Sequence, residues 1–293
     1  MSAASTRLYP AGALERIQAI ELDLLVAFDS ACRQLGLTYF MDAGTCLGAA
    51  RHQGFIPWDD DTDVGMPIED YKRFLNEAPA LLPDGISIHT MENTPGYSAL
   101  WAKLYADDTL FLDEGAIQAN CRQSIFLDIF CYVPMVGSEA SVRRRLLHME
   151  AWQKASYLRH IWSANIPETA PNRGPKVAAC NVAHAILSRT TTDEFVRRHH
   201  DNLLPADTDA AIWANPMAMK PFPFPAEVLF DPIELDFCGH KIFGPADPDG
   251  YLTLLYGDWH TLPPKEKRLT HTPVVLDFGD GINVMETTIA TGW

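Results

Sequence analysis

Residues 39–74 read YFMDAGTCLGAARHQGFIPWDDDTDVGMPIEDYKRF, and the order of elements in this stretch decides the fold. The segment 37–42 is apolar and prone to form a strand, and 62–66 has the same character. A turn that contains glycine separates these two strands, and Pro67 is well placed to open a helix after the second. Upstream, apolar residues recur at helical spacing over 11–35, and Gly36 ends this predicted helix. The predicted order is therefore helix, strand, turn, acidic strand and helix.

The rest of the chain divides into a sheet-forming part and a helical part. Strands are predicted over 86–91, 99–105 and 124–132, and helices over 138–160, 176–188 and 194–204. A proline-rich loop over 215–230, a strand pair over 233–243 and a helix over 250–256 follow. This pattern predicts an α+β fold, in which a mixed sheet is flanked by helices and a helical block is added. The expected segments are a catalytic core (1–137), a helical block (138–205) and a C-terminal segment that packs back on the core (206–293).

Composition limits the class of protein. The chain has 293 residues, of which 47% are apolar and 21% are charged, and this is typical of a globular protein. Its net charge of -15 argues against binding to nucleic acid, which requires a basic surface. No apolar run reaches the roughly 18 residues of a membrane span, and the first residues lack the apolar core of a signal peptide. We therefore expect a cytoplasmic protein without a membrane span.

The densest chemical signal is the acidic run WDDDTDVGM. Asp59, Asp61 and Asp63 alternate in it, and Asp60 adds a fourth carboxylate. In an extended segment, side chains two residues apart point to the same side, so the three alternating carboxylates converge. Such like charges repel unless a cation lies among them, and an all-oxygen site selects a hard divalent cation. The run therefore predicts a site for Mg²⁺ or Mn²⁺.

Two other interpretations of the acidic run are weaker. A solvated acidic turn is the usual fate of charged residues, but the flanking GFIPW and VGMPI are apolar and favour burial. A calcium-binding EF-hand loop would place Asp59, Asp61 and Asp63 at positions 1, 3 and 5. That loop needs glycine at position 6 and glutamate at position 12, where this chain has Val64 and Asp70.

A glycine-containing segment, AGTCLGAARHQGF, precedes the acidic run. Its Gly44 and Thr45 follow the predicted strand, and Arg51 and His52 come soon after. Glycines let backbone amides approach a ligand closely, and a helix start beyond them would favour an anion. The segment matches neither the Walker A loop nor GxGxxG, and turn or packing glycines are the alternative. A Gly-Thr turn followed by Asp-x-Asp on the next strand is much more specific than either part alone.

Residues 39–74 resemble the signature of the LicD family. That family includes bacterial phosphocholine transferases and the fukutin-type ribitol-phosphate transferases of animals, all on a nucleotidyltransferase fold. The resemblance implies that Gly44 and Thr45 form the nucleotide-side turn and that Asp61 and Asp63 are paired metal ligands. It also implies that Asp59 completes the alternating acidic motif.

Three later segments carry the resemblance further. FLDIF (126–130) is similar to the strand that supplies a third carboxylate, which nominates Asp128 as metal ligand or base; a polar residue that caps a strand end is the alternative. WAKLYADDTLF (101–111) implies that Lys103 meets a phosphate; the alternative is an outward lysine on an edge strand. The closing YGDW element (256–259) is compatible with a purely architectural role.

The resemblance implies a metal-dependent transferase. Its Mg²⁺ or Mn²⁺ would be held by Asp61, Asp63 and Asp128, with Arg51, His52 and Lys103 on the substrate. The donor would be CDP-linked, such as CDP-choline or a CDP-polyol, and the acceptor would be a hydroxyl of a glycan, lipid, peptide or small metabolite. We expect the helical block to encode acceptor choice. The alternatives are a nucleotidyltransferase that uses an NTP and releases pyrophosphate, and a noncatalytic nucleotide- or metal-binding protein.

Overall fold

A computed structural model describes residues 8–162, 166, 171–203, 210–217, 221–268 and 270–286. The helices are α1 (Ala13–Leu35), α2 (Ala43–His52), α3 (Ile68–Glu77), α4 (Glu114–Gln118), α5 (Glu139–His160), α6 (Arg173–Leu187), α7 (Thr192–Leu203), α8 (Ala226–Leu229) and α9 (Pro248–Tyr256). The strands are β1 (Phe40–Met41), β2 (Asp63–Pro67), β3 (Ile86–His89), β4 (Ala102–Ala106), β5 (Leu110–Leu112), β6 (Phe126–Pro134), β7 (Ile212–Ala214), β8 (Pro223–Pro225), β9 (Ile233–Phe237), β10 (His240–Gly244) and β11 (Val275–Asp277). The fold is therefore a mixed α+β architecture, as predicted.

The main sheet has the strand order β1-β2-β6-β4-β3, with β7 paired to the end of β6 and β8 paired to β7. Strands β2 and β6 run parallel, whereas the other pairs in this sheet are antiparallel. Strand β6 is buried at eight of its nine positions, as its apolar sequence requires for a central strand. Two separate strand pairs, β9 with β10 and β5 with β11, complete the sheet structure of the described chain.

The register of the three central strands determines where charged side chains meet. Asp63 of β2 pairs with Asp128 of β6, and Asp128 pairs with Lys103 of β4 on its other side. Residues that are directly opposite on neighbouring strands project to the same face of a sheet. Two carboxylates and one ammonium group therefore project side by side from adjacent strands.

Helix α1 covers one side of the sheet and begins the core. Its buried apolar residues recur at helical spacing and include Ile17, Leu24 and Phe28, and the helix ends at Gly36 with φ 63°. The ring centroid of Phe28 lies 4.8 Å from that of Phe74 in α3. Burial of such a side chain contributes roughly 1.5–3 kcal/mol. The predicted helix that ends at a glycine is confirmed.

The C-terminal elements contact the first half of the chain. The Cys238 backbone N–H donates to the carbonyl oxygen of Gln53 at 2.8 Å, and the rings of Phe55 and Phe237 lie 5.0 Å apart between centroids. Helix α9 ends at Gly257, as predicted, and β11 pairs with β5. The segment boundaries at residues 137 and 205 stay a prediction.

The prediction of a glycine-containing turn before the acidic strand is wrong, because residues 43–52 form helix α2. Asp42 caps this helix with its carboxylate, which accepts a hydrogen bond from the Ala43 N–H. Gly48 is needed for packing, since a Cβ there would lie 2.4 Å from the carbonyl oxygen of Gly54. Capping and close packing thus outweigh the roughly 1 kcal/mol that each glycine costs inside a helix.

The prediction that the proline-rich segment 215–230 forms a loop is also wrong in part. It is not all loop, because β8 (Pro223–Pro225) and the single turn α8 (Ala226–Leu229) lie within it, while residues 218–220 lie outside the described chain. Among the described residues, strand β8 pairs with β7 alone, so its prolines lie where a missing N–H is tolerated. The segment was predicted as loop because three-residue strands leave little periodicity.

The other predicted elements agree with the structure. The predicted strands over 86–91, 99–105 and 124–132 correspond to β3, β4 and β6, and the strand pair over 233–243 corresponds to β9 and β10. Helices α5 and α6 are confirmed, and α7 is confirmed up to Leu203, since residue 204 lies outside the described chain. None of the described helices combines the length and apolar character that crossing a membrane requires.

Candidate active site

An internal ion pair lies at the centre of the sheet. Lys103 Nζ is 2.7 Å from Asp128 Oδ1, and the two side chains are only 7% and 10% exposed. Trp101 Nε1 donates to the same carboxylate oxygen at 2.8 Å, and the ammonium group lies 3.1 Å from the centroid of the Phe126 ring. The alternative of an outward lysine on an edge strand is therefore wrong: the ammonium group faces the carboxylate from a central strand.

Asp59, Asp61, Asp63 and Asp128 form a group that we call the acidic cluster. Burial and the carboxylates of Asp61 and Asp60 raise the pKa of Asp59 to about 8. Burial raises the pKa of Asp61 to about 6, although a nearby imidazole opposes the shift. Burial and the carboxylates of Asp61 and Asp128 raise the pKa of Asp63 well above its ordinary value. Burial is the largest cause of these shifts, and the neighbouring carboxylates add to it, as expected where negative charges lie close together.

The N-terminus of α2 opens beside the acidic cluster. The hydroxyl oxygen of Thr45 accepts a hydrogen bond from the Asp63 N–H at 2.7 Å, which fixes the start of β2 against the helix. A Cβ at Gly44 would lie 2.9 Å from Asp59 Oδ2, so only glycine permits this approach without displacement of the carboxylate. The N–H groups of Gly44 and Thr45 have no acceptor within the described chain. Unpaired N–H groups in the first turn of a helix are suited to bind an anion.

Asp60 has a different role from its neighbours in the acidic run. Its side chain is fully buried and accepts a hydrogen bond from the Tyr9 hydroxyl at 2.5 Å. It also accepts from the His271 backbone N–H at 2.8 and 2.9 Å. Asp60 therefore joins segments from the two ends of the described chain to the loop that carries the acidic cluster.

His271 adds a cation that the sequence did not predict. Its Nδ1 lies 3.2 Å from Asp60 Oδ1 and 3.4 Å from Asp61 Oδ2. The hydrogen bond to Asp60 and the charge of Asp61 raise the pKa of His271 to about 9. Asp60, Asp61 and His271 offer three ligand atoms within 4.8 Å of one another, whereas the predicted set of Asp61, Asp63 and Asp128 does not. The imidazole is thus held beside Asp61 and is charged at neutral pH.

Arg51 lies at the rim of the site and is held by two acceptors. Its Nε donates to His52 Nε2 at 3.0 Å, and its Nη1 donates to the carbonyl oxygen of Trp259 at 3.0 Å. Burial and the neighbouring guanidinium of Arg268 lower the pKa of Arg51, while the charge of Asp59 opposes this. His52 therefore orients Arg51 rather than projecting alone into the site.

Arg268 is a second guanidinium that sequence reasoning missed. Its Cζ lies 4.2 Å from the centroid of the Trp58 ring, and its Nε donates to the carbonyl oxygen of Pro263 at 3.2 Å. No motif includes it, because it reaches the site from a segment more than 200 residues after Trp58. Two neighbouring guanidinium groups mark a place where an anion would relieve their repulsion.

Glu21 is a buried carboxyl beneath the acidic cluster. Its residue is 1% exposed, and its Oε2 has no hydrogen-bond partner within the described chain. Burial and the charges of Asp61, Asp60 and Asp59 raise its pKa well above the ordinary value. No motif includes it, and the only signal in the sequence is its spacing from Ile17 and Leu24, which places it on the buried face of α1.

The YGDW element forms part of the site wall. Tyr256 is 45% exposed, but burial of its hydroxyl and the charges of Asp63 and Asp42 raise its pKa well above the ordinary value. Trp259 binds Arg51 through its carbonyl oxygen, and its Nε1 donates to Asp249 at 3.2 Å. The element thus supports Arg51 and closes the acidic cluster on one side.

The structure brings the predicted residues to one region. Those that lie on or beside the acidic cluster are Gly44, Thr45, Asp59, Asp61, Asp63, Lys103 and Asp128, with Arg51 and His52 at its rim. Such a combination of several carboxylates, a lysine and free helix N–H groups is suited to bind phosphates through a cation.

Comparison with known proteins gives the class of the chain. Residues 36–163 match the family model "LicD/FKTN/FKRP, nucleotidyltransferase domain". The lipopolysaccharide cholinephosphotransferase LicD of Haemophilus influenzae is 26% identical over 262 residues, which cover 88% of this chain and 95% of that protein. The human ribitol 5-phosphate transferase FKRP is 51% identical over 35 residues, or 12% of this chain and 7% of FKRP. The mouse ribitol-5-phosphate transferase FKTN is 40% identical over 50 residues, or 17% of this chain and 11% of FKTN.

These relatives are transferases, and the prediction that the chain is an enzyme of this class is confirmed. The chain contains a match to the LicD/FKTN/FKRP family model and is similar to the Haemophilus LicD over most of its length, as the signature at residues 39–74 indicated.

Proposed function

We propose that the protein is a metal-dependent transferase that moves a phospho-linked group from a CDP-activated donor to an acceptor hydroxyl. The group would be phosphocholine-like or a polyol phosphate. The observation that carries the proposal is the meeting of the acidic cluster, Lys103 and the free N–H groups of α2. The name of the Haemophilus relative supports a phosphocholine-type group, and the family description supports a nucleotidyltransferase-like fold.

The residues present fit a hard divalent cation. The acidic cluster offers oxygen ligands with raised pKa values, and the buried Oε2 of Glu21 has no partner within the described chain. Asp61, Asp63 and Asp128 would hold Mg²⁺ or Mn²⁺, which supplies charge to stabilise the transferred phosphoryl group. Asp60 and His271 fit less well, because both oxygens of Asp60 already accept hydrogen bonds from Tyr9 or His271. In contrast, Lys103 and Trp101 both contact Oδ1 of Asp128.

The remaining cations and N–H groups bind the donor. Lys103 and Arg51 would neutralise phosphate oxygens from opposite sides, and we add Arg268 as the second guanidinium at the rim. The N–H groups of Gly44 and Thr45 would donate hydrogen bonds to a further phosphate oxygen. Fixed donors of this kind stabilise charge that develops during transfer, because they need no reorganisation.

Asp59 is the better candidate for the base that deprotonates the acceptor hydroxyl. Asp128 is already bonded to Lys103 and Trp101, which makes it a poor proton acceptor. Asp59 lies beside the free N-terminus of α2, so its carboxylate adjoins the proposed phosphate position. The acceptor would be a hydroxyl of a glycan, lipid, peptide or small metabolite, selected by the helical block, and we propose the cytoplasm as the compartment.

The test is mass spectrometry of products formed by the purified chain with Mg²⁺. The donors would be CTP, CDP-choline, CDP-ethanolamine and CDP-polyols, offered with a pool of hydroxyl acceptors. We expect release of CMP and a phospho-group on one acceptor. Asp61→Asn and Asp63→Asn should abolish this, whereas the exposed and remote Asp84→Asn should not.

Other outcomes would change the assignment. Pyrophosphate release from CTP would make the protein a nucleotidyltransferase. Donor binding without aspartate-dependent turnover of any donor would favour a noncatalytic nucleotide-binding protein.

A further inference from the structure

The helical hairpin formed by α5 and α6 differs in charge from the rest of the molecule. Residues 138–190 contain eight Lys and Arg but only three Glu, which is a net charge of +5 in a chain of net charge -15. From residue 171 to residue 190 there is no acidic residue. A basic region within a strongly acidic protein indicates an anionic partner.

Helix α6 is apolar yet exposed. Nine of its fifteen residues are Ala, Val, Ile, Leu or Cys, and none of its residues is buried. One side is attached to α5 through a hydrogen bond between His184 Nδ1 and the carbonyl oxygen of Leu158 at 2.8 Å. On the outward side, Val182 and Ile186 are both 62% exposed and lie one turn apart. An apolar helix that a folded domain leaves uncovered indicates a surface that a partner covers.

Helix α5 carries a second exposed apolar and basic patch, nearer its N-terminus. Leu147 is 58% exposed and lies one turn after the exposed Arg143 and Arg144, so apolar and basic groups share one face. Trp162, just beyond α5, is 53% exposed, and its ring centroid lies 6.4 Å from that of His184. The hairpin therefore presents an aromatic residue and aliphatic residues together.

Several cations around this apolar surface lack partners. Arg143, Arg144, Lys176 and Arg189 are exposed and form no ion pair with any carboxylate in the part of the chain that the structure describes. Lys176 and Arg189 lie near the two ends of α6, on either side of Val182 and Ile186. Apolar residues bordered by unpaired cations are typical of a face that lies on an anionic bilayer surface.

We propose that the outward face of the α5–α6 hairpin docks on an anionic phospholipid membrane. Leu147, Trp162, Val182 and Ile186 would enter the interfacial region while the surrounding cations contact lipid phosphates. The choice of a membrane rests on charge: the exposed cations Lys176 and Arg189 lie at the two ends of an apolar helix, where they match a surface of lipid phosphates. The inference goes beyond the transferase reaction and does not depend on it.

Helix α5 connects the docking face to the part of the chain that carries the candidate active site. On its buried side, Ser156 Oγ donates to the carbonyl oxygen of Ser98 at 2.7 Å, and the same segment leads to Trp101, which bonds Asp128.

Vesicle flotation tests the docking face without any need for turnover. The full chain should float with vesicles of phosphatidylcholine and phosphatidylglycerol but not with pure phosphatidylcholine, and high salt should release it. The double variant Arg143→Ala/Arg144→Ala should bind about thirty-fold more weakly, because each basic residue near an anionic surface contributes about fivefold. Val182→Ser/Ile186→Ser should also lose binding at unchanged charge.

Matched controls lie elsewhere on the surface. Lys72→Ala removes an exposed cation from α3, and Ile282→Ser removes a side chain that is 57% exposed; both should bind like the parent chain. Failure of the parent chain to float with anionic vesicles would overturn the proposal. The proposal would also be overturned if Lys72→Ala and Ile282→Ser lost as much vesicle binding as the variants of the docking face. Concentration-dependent dimers that Val182→Ser/Ile186→Ser abolishes, without vesicle binding, would assign the face to a second copy instead.

Discussion

Asp42 and the acidic cluster place carboxylates in neighbouring parts of the same fold, but their surroundings are opposite. Asp42 accepts hydrogen bonds from the hydroxyl groups of Tyr132 and Tyr251 and from the Ala43 N–H. Burial raises its pKa, and these hydrogen bonds oppose the shift. Asp63 has no hydrogen bond to its carboxylate within the described chain, and other carboxylates raise its pKa further.

This difference in hydrogen bonding indicates that Asp42 has a structural role, whereas Asp63 is available to bind a ligand. The Asp42 carboxylate joins α2, β6 and α9 because each of its partners comes from a different element. The carboxylates of the acidic cluster repel one another, so they destabilise the fold unless a cation binds. Substitution of Asp42 should therefore change the free energy of unfolding, whereas substitution within the acidic cluster should change the rate of turnover.

The largest expected effect is on turnover in Asp63→Asn. We expect the rate of CMP release to fall by about a thousand-fold or more, because a charged ligand of the proposed metal ion is lost. Denaturant unfolding should show no loss of stability, since a repelled charge is removed. An unstable Asp63→Asn with normal turnover would contradict the comparison.

The substitution Lys103→Met should lower both the rate of turnover and the stability of the fold. Loss of the ammonium group should lower turnover by about a hundred-fold. It should also lower the free energy of unfolding by about 3 kcal/mol, because the buried Asp128 carboxylate loses its partner. In Lys103→Met/Asp128→Asn, denaturant unfolding should recover much of the stability while turnover stays low. Recovery of turnover in the double variant would exclude a direct role of the pair.

Asp42→Asn should show the reverse pattern to Asp63→Asn. Its free energy of unfolding should fall by about 1–3 kcal/mol, with less than about a tenfold change in turnover, because a satisfied buried group loses its charge-assisted hydrogen bonds. Tyr251→Phe is the matched variant, which removes one donor and leaves the carboxylate in place. A collapse of turnover in Tyr251→Phe at full stability would move Asp42 into the catalytic site.

The smallest effect is the pH dependence of stability without added metal. The pKa of Asp59 is raised from 3.8 to about 8, so the folded state binds its proton more tightly than the unfolded state. The stability that the raised pKa of Asp59 contributes is fully present below the pKa of the unfolded state. It is lost as pH rises through about 8. The pKa of His271 is raised from 6.5 to about 9, which has the same sign over a higher range. Thermal unfolding should therefore occur several degrees lower at about pH 9 than at about pH 5.

Added Mg²⁺ should reverse this trend, because carboxylate ligands bind metal only after they lose their protons. The rise in Tm on addition of Mg²⁺ should grow with pH and be absent in Asp61→Asn. A rise that is independent of both pH and Asp61 would place the ion elsewhere.

The features that the sequence predicted are those encoded locally. Asp59, Asp61 and Asp63 were visible because their alternation lies within five residues, and α1 was visible through its apolar spacing. Asp128 and Lys103 were nominated only by family resemblance, since a register between strands cannot be derived from one sequence. Whether these residues perform the chemistry proposed for them stays a prediction.

The features that were missed depend on contacts between distant segments. Glu21, His271 and Arg268 reach the site from three places along the chain, and none carries a local motif. Helix α2 was predicted as a turn because the packing that requires Gly48 involves residues that follow the helix. Propensity describes a segment alone, whereas tertiary contacts decide its final form.

The contacts of Asp60 link completion of the site to the synthesis of a distant segment. Tyr9 precedes Asp60 by 51 residues, whereas His271 follows it by 211. A nascent chain that ends before residue 271 therefore carries all the proposed metal ligands but lacks the imidazole beside Asp61. Long-range contacts of this kind form late in folding. This side of the site should consequently stay incomplete until residue 271 has left the ribosome.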